Sequence, residues 1–222
     1  MTLFIVATPI GNLEDITLRA IRVLKEADAV AAEDTRQTRK LLDKYDIKTP
    51  LLTIHQHSGS FKLDRLVERL GHGENIALVS DAGTPNIADP GGELVERVRE
   101  AGIAVVPIPG ASAVTAILSV AGIPTDSFMF VGFLPKKKGR QTLLKEMKDL
   151  AVPIVLFESP NRILKTLAEL RQILDNRKVV IGRELTKIHE EVLKMSLDDA
   201  LKHFTKHPPR GEFVIVVVPD YN

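Results

Sequence analysis

The chain has no cysteine and no tryptophan among its 222 residues. Without thiols it can form neither a disulfide nor a thiolate metal site, and this suits a reducing compartment such as the cytoplasm. Aromatic residues make up only 5% of the chain, so base stacking can contribute little to any nucleic-acid contact. Charge of one sign is missing too: 30 Lys and Arg against 29 Asp and Glu leave a net charge of +1. That is far from the balance of a dedicated nucleic-acid coat and leaves any RNA contact to local patches. No apolar run reaches the length of a membrane span, and no basic leader stands before "MTLFIVATPIGN", so neither membrane association nor a secretory signal is expected. A G-x-x-x-x-G-K-[ST] phosphate loop and an H-E-x-x-H zinc motif are both absent. The loop after the first apolar run, "TPIGNLED", holds one glycine, which argues against an ordinary dinucleotide-binding turn.

What is present is enough apolar sequence, 44%, to build one large domain or two small ones. Short apolar runs at 3–8, 28–32, 51–55, 75–80 and 103–108 alternate with helical spacing at 17–27, 62–70 and 91–101. Continuous apolar strands of this kind belong to a parallel sheet covered on both faces. Asp89-Pro90 reads as a helix start and Gly102 as a stop. Beyond a helix at 111–121 the strands at 128–133, 154–157, 179–182, 192–195 and 212–218 lean toward alternation, and a mixed sheet is expected, with helices at 141–150, 162–174 and 197–204. The expected division is an N-terminal α/β domain over 1–115 and a C-terminal α/β domain over 116–222.

The chemistry gathers where strands end. "LVSDAGTPNIADPGG" (78–92) packs two carboxylates, three glycines and two prolines behind a buried strand. Its Ala82-Gly83-Thr84-Pro85 portion has little side-chain bulk and lets a ligand approach the backbone. Asp81 is the member that turn geometry does not explain. "AAEDTRQTRK" sets Glu33 and Asp34 before a helix that carries Arg36 and Arg39. Its alternatives are a ligand site at a strand's carboxyl end or a capped helix with a solvated basic face. "IPGASA" (108–113) opens a helix on small residues, and "FESPNR" (157–162) puts an acid at another strand end. "LPKKKGRQ" (134–141) is either a solvated loop or a phosphate contact. His55 and His57 in "IHQHSGS" are two imidazoles without an evident third ligand, so no metal site is expected.

Taken together, "VATPIGNLEDIT", "AAEDTR", "ALVSDAGTP", "ADPG", "VVPIPGASA", "GFLPKKKGR", "FESPNR" and "GRELTK" resemble the small-subunit (16S) ribosomal RNA cytidine 2′-O-methyltransferases of the tetrapyrrole methylase superfamily. The resemblance runs from residue 3 to about residue 218. It implies two α/β domains, the first with a mostly parallel sheet and the second with a mixed one, and S-adenosylmethionine in a cleft between them. It also implies methyl transfer to a cytidine ribose 2′-hydroxyl in small-subunit ribosomal RNA, with the assembled particle as substrate, by a cytoplasmic homodimer. Carried onto this sequence, the cofactor contacts fall on Pro9, Gly83, Thr84, Pro85, Ile87, Ser112, Ala113 and Phe157. The first loop, "TPIGN", lacks the Gly-rich ending of the wider superfamily. That weighs against the rival substrates, a tetrapyrrole or a protein side chain; a ribosome-binding module without activity is the third reading. Two positions depart from the branch, Ser58 after His57 and Asn161 in "SPNR", and some members carry a helical C-terminal extension that this sequence lacks. A 2′-hydroxyl is a poor nucleophile, so a base should help, and Asp81, Asp34 and Glu33 are the candidates. Arg36, Arg39, Lys136, Lys137, Lys138, Arg140, Arg183 and Lys187 are the expected RNA contacts.

Overall fold

The computed structural model describes residues 1–54, 60–89 and 91–220, without the side chains of residues 60 and 61. His55, His57, Ser58 and Pro90 therefore lie outside the described residues. The chain divides into two compact units, Met1–Ser112 and Ala113–Asn222.

The first unit alternates strand and helix throughout. Its elements are β1 (Thr2–Val6), a 3-10 turn (Leu13–Asp15), α1 (Leu18–Glu26), β2 (Ala29–Ala32), α2 (Thr35–Lys44), β3 (Leu51–Thr53), α3 (Ser60–Gly71), β4 (Asn75–Leu78), α4 (Gly92–Glu100) and β5 (Ala104–Ile108). The strands form one sheet in the order β3-β2-β4-β1-β5, with every pairing parallel. Both faces are covered. Ala77 and Val79 pack with Ala20, Leu24 and Leu42, from α1 and α2. Ile76 and Leu78 pack with Leu66, Leu70, Leu94 and Val98, from α3 and α4. Successive residues of β4 thus serve opposite cores, which is why the strand reads as a continuous apolar run. Thr17 caps α1 by accepting from the Ala20 amide.

The second unit contains α5 (Ala113–Val120), β6 (Met129–Phe133), α6 (Arg140–Glu146), β7 (Ile154–Glu158), α7 (Ile163–Leu174), β8 (Lys178–Arg183), β9 (Glu191–Ser196), α8 (Leu197–Lys206) and β10 (Phe213–Val217). Its sheet order is β6-β7-β10-β8-β9. Only β6 and β7 run parallel; the other pairs are antiparallel, so the sheet is mixed. Residues of α6, α7 and α8, among them Leu144, Leu167, Leu170 and Phe204, cover one face over Ile181 and Ile215. Val114, Ile117 and Leu118 of α5 cover the other over Val155, Val180, Val214 and Val216. Ser196 caps α8 by accepting from the Asp199 amide. Two α/β units, one with a parallel and one with a mixed sheet, agree with the architecture expected from the sequence.

Candidate active site

In a parallel α/β sheet all strands deliver their carboxyl ends to one edge, and ligands collect there. In the first unit three of those strand-end loops are laced together. The Thr8 amide donates to the Gly83 carbonyl at 2.8 Å, and the Gly83 amide donates back to Thr8 at 3.0 Å. Thr84 Oγ1 donates to the Ala111 carbonyl at 3.4 Å. Gly110 lies so close to the first loop that a Cβ there would stand 3.0 Å from the Ala7 Cβ. The loops after β1, β4 and β5 are therefore joined, and Pro9, Gly83, Thr84, Pro85, Ile87 and Ser112 all lie in them. Pro9, Gly83 and Pro85 are buried; Ile87 is 46% exposed.

The turn after β4 owes its shape to its sequence. The Ile87 amide donates to the Thr84 carbonyl, with Pro85 first and Asn86 second between them. Asn86 has φ 71°, as the third residue of a type II turn requires. Ala88 also has positive φ, at 62°, and Gly91 follows at 134°. The Asn86 side-chain oxygen is buried beside Gly91 with no hydrogen-bond partner among the described residues. The helix start expected at Asp89-Pro90 is displaced: α4 begins at Gly92 behind Gly91, with no side-chain cap.

Asp89 instead remains in the turn, beside Ser80. Burial pushes its carboxyl above the usual range, Ser80 opposes the shift, and the charges of Glu33 and Asp81 add to it. Asp81 is the link to the neighbouring strand end. Its Oδ1 accepts from the Asp34 backbone amide at 3.0 Å, across 47 residues of sequence. Asp34 in turn caps α2 through the Arg36 amide and holds the Arg36 guanidinium by both oxygens, at 3.1 and 2.9 Å. The guanidinium and that amide hold the Asp34 carboxyl down to about 2. Asp81, Asp34, Glu33 and Asp89 thus share one edge, with Arg36 and Arg39 exposed on the helix behind them.

The second unit places its expected residues differently. Ala113 opens α5 and Phe157 lies in β7, ringed edge-on by Phe130 and Phe133 at 5.0 and 5.6 Å. Lys136, Lys137 and Lys138 are exposed on the β6–α6 loop. Arg140 departs from them and corrects the expectation for that loop. It is 4% exposed, and its guanidinium is engaged by Glu169, Thr166 Oγ1 and the Pro135 carbonyl, so it cannot reach a phosphate. Arg183 donates to the Arg210 carbonyl and faces Glu191, and Lys187 bridges Glu184 and Glu212 at 2.9 and 2.8 Å. That lysine holds the Glu184 carboxyl below its ordinary value.

Residues 2–201 match the model of the tetrapyrrole (corrin/porphyrin) methylases. The chain belongs to the tetrapyrrole methylase family. It is 52% identical over 217 residues to ribosomal RNA small subunit methyltransferase I of Halalkalibacterium halodurans, covering 97% of this chain and 75% of that protein. It is 46% identical to the protein of the same name from Thermotoga maritima, covering 97% of both. Among solved structures, a diphthine synthase superposes with a TM-score of 0.79 at 17% identity, over 99% of this chain and 90% of that one. Cobalt precorrin-4 methyltransferase superposes with a TM-score of 0.68 at 20% identity, over 97% and 94%. These two share the fold of this methylase.

Two features of this methylase edge escape sequence reasoning. Asp89 reads as a helix cap because Asp-Pro is a good cap signal, yet its carboxyl stays beside Ser80. Asp81 looks unassigned because its partner, the Asp34 amide, is a backbone group far away in sequence. The signal that could have found it is the pairing of β2 with β4, which sets these two strand ends side by side.

Proposed function

We propose that this methylase transfers a methyl group from S-adenosylmethionine to the ribose 2′-hydroxyl of a cytidine in small-subunit ribosomal RNA. The observation that carries the reading is identity of 46–52%, over 97% of the chain, to proteins named ribosomal RNA small subunit methyltransferase I. The strand-end edge of the first unit suits the cofactor. The cofactor carries ammonium and sulfonium charges, and the edge offers four carboxyl groups, a turn of small residues and a buried Asn86 oxygen without a partner among the described residues. Pro9, Gly83, Thr84, Pro85, Ile87 and Ser112 would hold it there, and when bound it supplies an electrophilic methyl group.

The chain's own residues must orient the hydroxyl and receive its proton. Asp34 is a poor base: a carboxyl held near 2 has little affinity for a proton, and both its oxygens are occupied by Arg36. Asp81 is exposed and only its Oδ1 is engaged among the described residues, which leaves Oδ2 to accept a proton. Glu33 at the next strand end is the second choice. Arg36, Arg39, Lys136, Lys137 and Lys138 supply the phosphate contacts. The same reading makes the assembled small subunit the substrate and the enzyme a cytoplasmic homodimer; among the described residues no helix is long and apolar enough to cross a membrane.

The test is methyl transfer from labelled cofactor to small subunits that lack the modification, followed by nucleoside analysis. Label in 2′-O-methylcytidine is expected; label only in protein, or none, overturns the reading. Asp81→Asn keeps an acceptor for the Asp34 amide and removes the base, and the rate should fall by about 10²–10⁴-fold. A full rate in that variant would leave Asp81 as a loop anchor alone.

A further inference from the structure

A buried polar network in the second unit has no part in the proposed chemistry. Glu158, at the end of β7, has a fully buried side chain. Its Oε1 accepts from the Ser159 amide at 2.9 Å and meets Arg162 Nε at 3.2 Å. Its Oε2 accepts from Thr166 Oγ1 at 2.6 Å. Thr166 is itself buried, and its Oγ1 accepts from Arg140 at 2.7 Å. Arg140 Nε continues to Glu169 at 2.7 Å. Two carboxylates, two guanidiniums and a hydroxyl are thereby joined in sequence.

Both guanidiniums end on the same short stretch of backbone. Arg162 donates to the Leu134 carbonyl, and Arg140 donates to the Pro135 carbonyl at 3.2 Å. The Arg140 amide closes the far side by donating to the Lys137 carbonyl at 3.2 Å. These are the two ends of the loop that carries Lys136, Lys137 and Lys138. An apolar core would hold β7 against α7 at lower desolvation cost, since buried ion pairs of this kind rarely add net stability. What the network does that leucines could not is grip loop carbonyls from inside. We infer that Glu158, Thr166, Arg140, Glu169 and Arg162 are positioning residues that mount the three lysines rigidly for contact with RNA phosphates. Lysine is a flexible point charge, so a fixed backbone is what aligns several of them with successive phosphates.

The inference rests on the reading of the substrate as ribosomal RNA, and the experiment separates the two. Binding to the small subunit is measured across salt concentrations for wild type, Lys136→Ala/Lys137→Ala/Lys138→Ala, Thr166→Val and Thr166→Ser. Each phosphate contact contributes ~0.7–0.9 to the slope of log K against log salt, so the triple variant should lose about 2 to 3. Thr166→Val removes the hydroxyl between Glu158 and Arg140 and touches no lysine. It should lose much of the same slope, while affinity for S-adenosylmethionine stays within about twofold; Thr166→Ser should restore the wild-type slope. Glu169→Gln, nearer the surface, repeats the measurement should Thr166→Val melt below the assay temperature. A reduced slope in the triple variant with a wild-type slope in folded Thr166→Val or Glu169→Gln overturns the mount and leaves the function standing. An unchanged slope in the triple variant alongside methylated RNA also overturns it, because the loop then touches no phosphate. Absence of methyl transfer by wild type overturns the functional reading and this inference with it.

Discussion

A carboxylate is useful as a base in proportion to its affinity for a proton, and Asp34 has been given almost none. Its ordinary value of 3.8 is brought to about 2 by the Arg36 side chain and the Arg36 amide. The folded value lies below the unfolded one. The pair's contribution to stability is therefore complete above pH 3.8 and is lost as pH falls through about 2. Asp34 is thus built to keep its charge, cap α2 and hold Arg36 in place. Arg36→Ala should raise the Asp34 midpoint, read by side-chain carbon NMR, but leave it short of 3.8 because the residue 36 amide still donates. A midpoint that stays at about 2 would mean the guanidinium contributes nothing and the residue 36 amide alone holds the carboxyl down.

At the scale of elements, side chains of α5, β10 and the segment after β8 pack so closely over Gly182 that any side chain there would displace one of them. A Cβ on Gly182 would stand 2.9 Å from Ile117 Cδ1, 2.9 Å from Val214 Cγ1 and 3.0 Å from Leu185 Cδ2. Gly182→Ala should cost about 1–3 kcal/mol by overpacking, measured as a lower urea midpoint. Ile117→Val removes the Cδ1 atom, so the double variant should lose less than the two single losses combined. Strict additivity would show that α5 shifts away as a body. Elements of this kind are legible in sequence because their signals are local. The parallel strands read as apolar runs, and the polar residues after them mark the strand-end edge proposed as the cofactor site. Arg140 shows the limit: in "KKKGR" it is one more basic residue, and only its partners Thr166 and Glu169, 26 and 29 positions on, reveal it as buried. Asp81 and Asp89 fall under the same limit, since what each carboxyl bonds is decided by strand order and by the fold of one left-handed turn. Local sequence encodes neither.

At the scale of the molecule, each unit packs both faces of its own sheet, so the central strands are shielded by two cores. The turn over 81–89 holds two non-glycine residues at positive φ and a buried oxygen without a partner among the described residues, a local cost that the surrounding structure must bear. Such a segment opens at lower free energy than the sheet beneath it. A ligand that binds only the folded form stabilises by mass action, about 2.7 kcal/mol at a hundredfold excess over Kd. Under saturating S-adenosylmethionine, amide exchange should therefore slow in the strand-end loops, residues 7–12, 33–35, 79–89 and 109–112. The amides of β4 and β1, already protected by ladder bonds and two cores, should change little. Asn86→Ala removes the buried side-chain oxygen that has no partner among the described residues. It should weaken cofactor binding while leaving the protection of β4 unaltered, which separates a contact with the ligand from loss of the fold. Protection that appears nowhere along these four loops would remove the first unit's strand-end edge as the cofactor site. Protection there that survives intact in Asn86→Ala would keep the edge and show that the buried oxygen belongs to the turn alone.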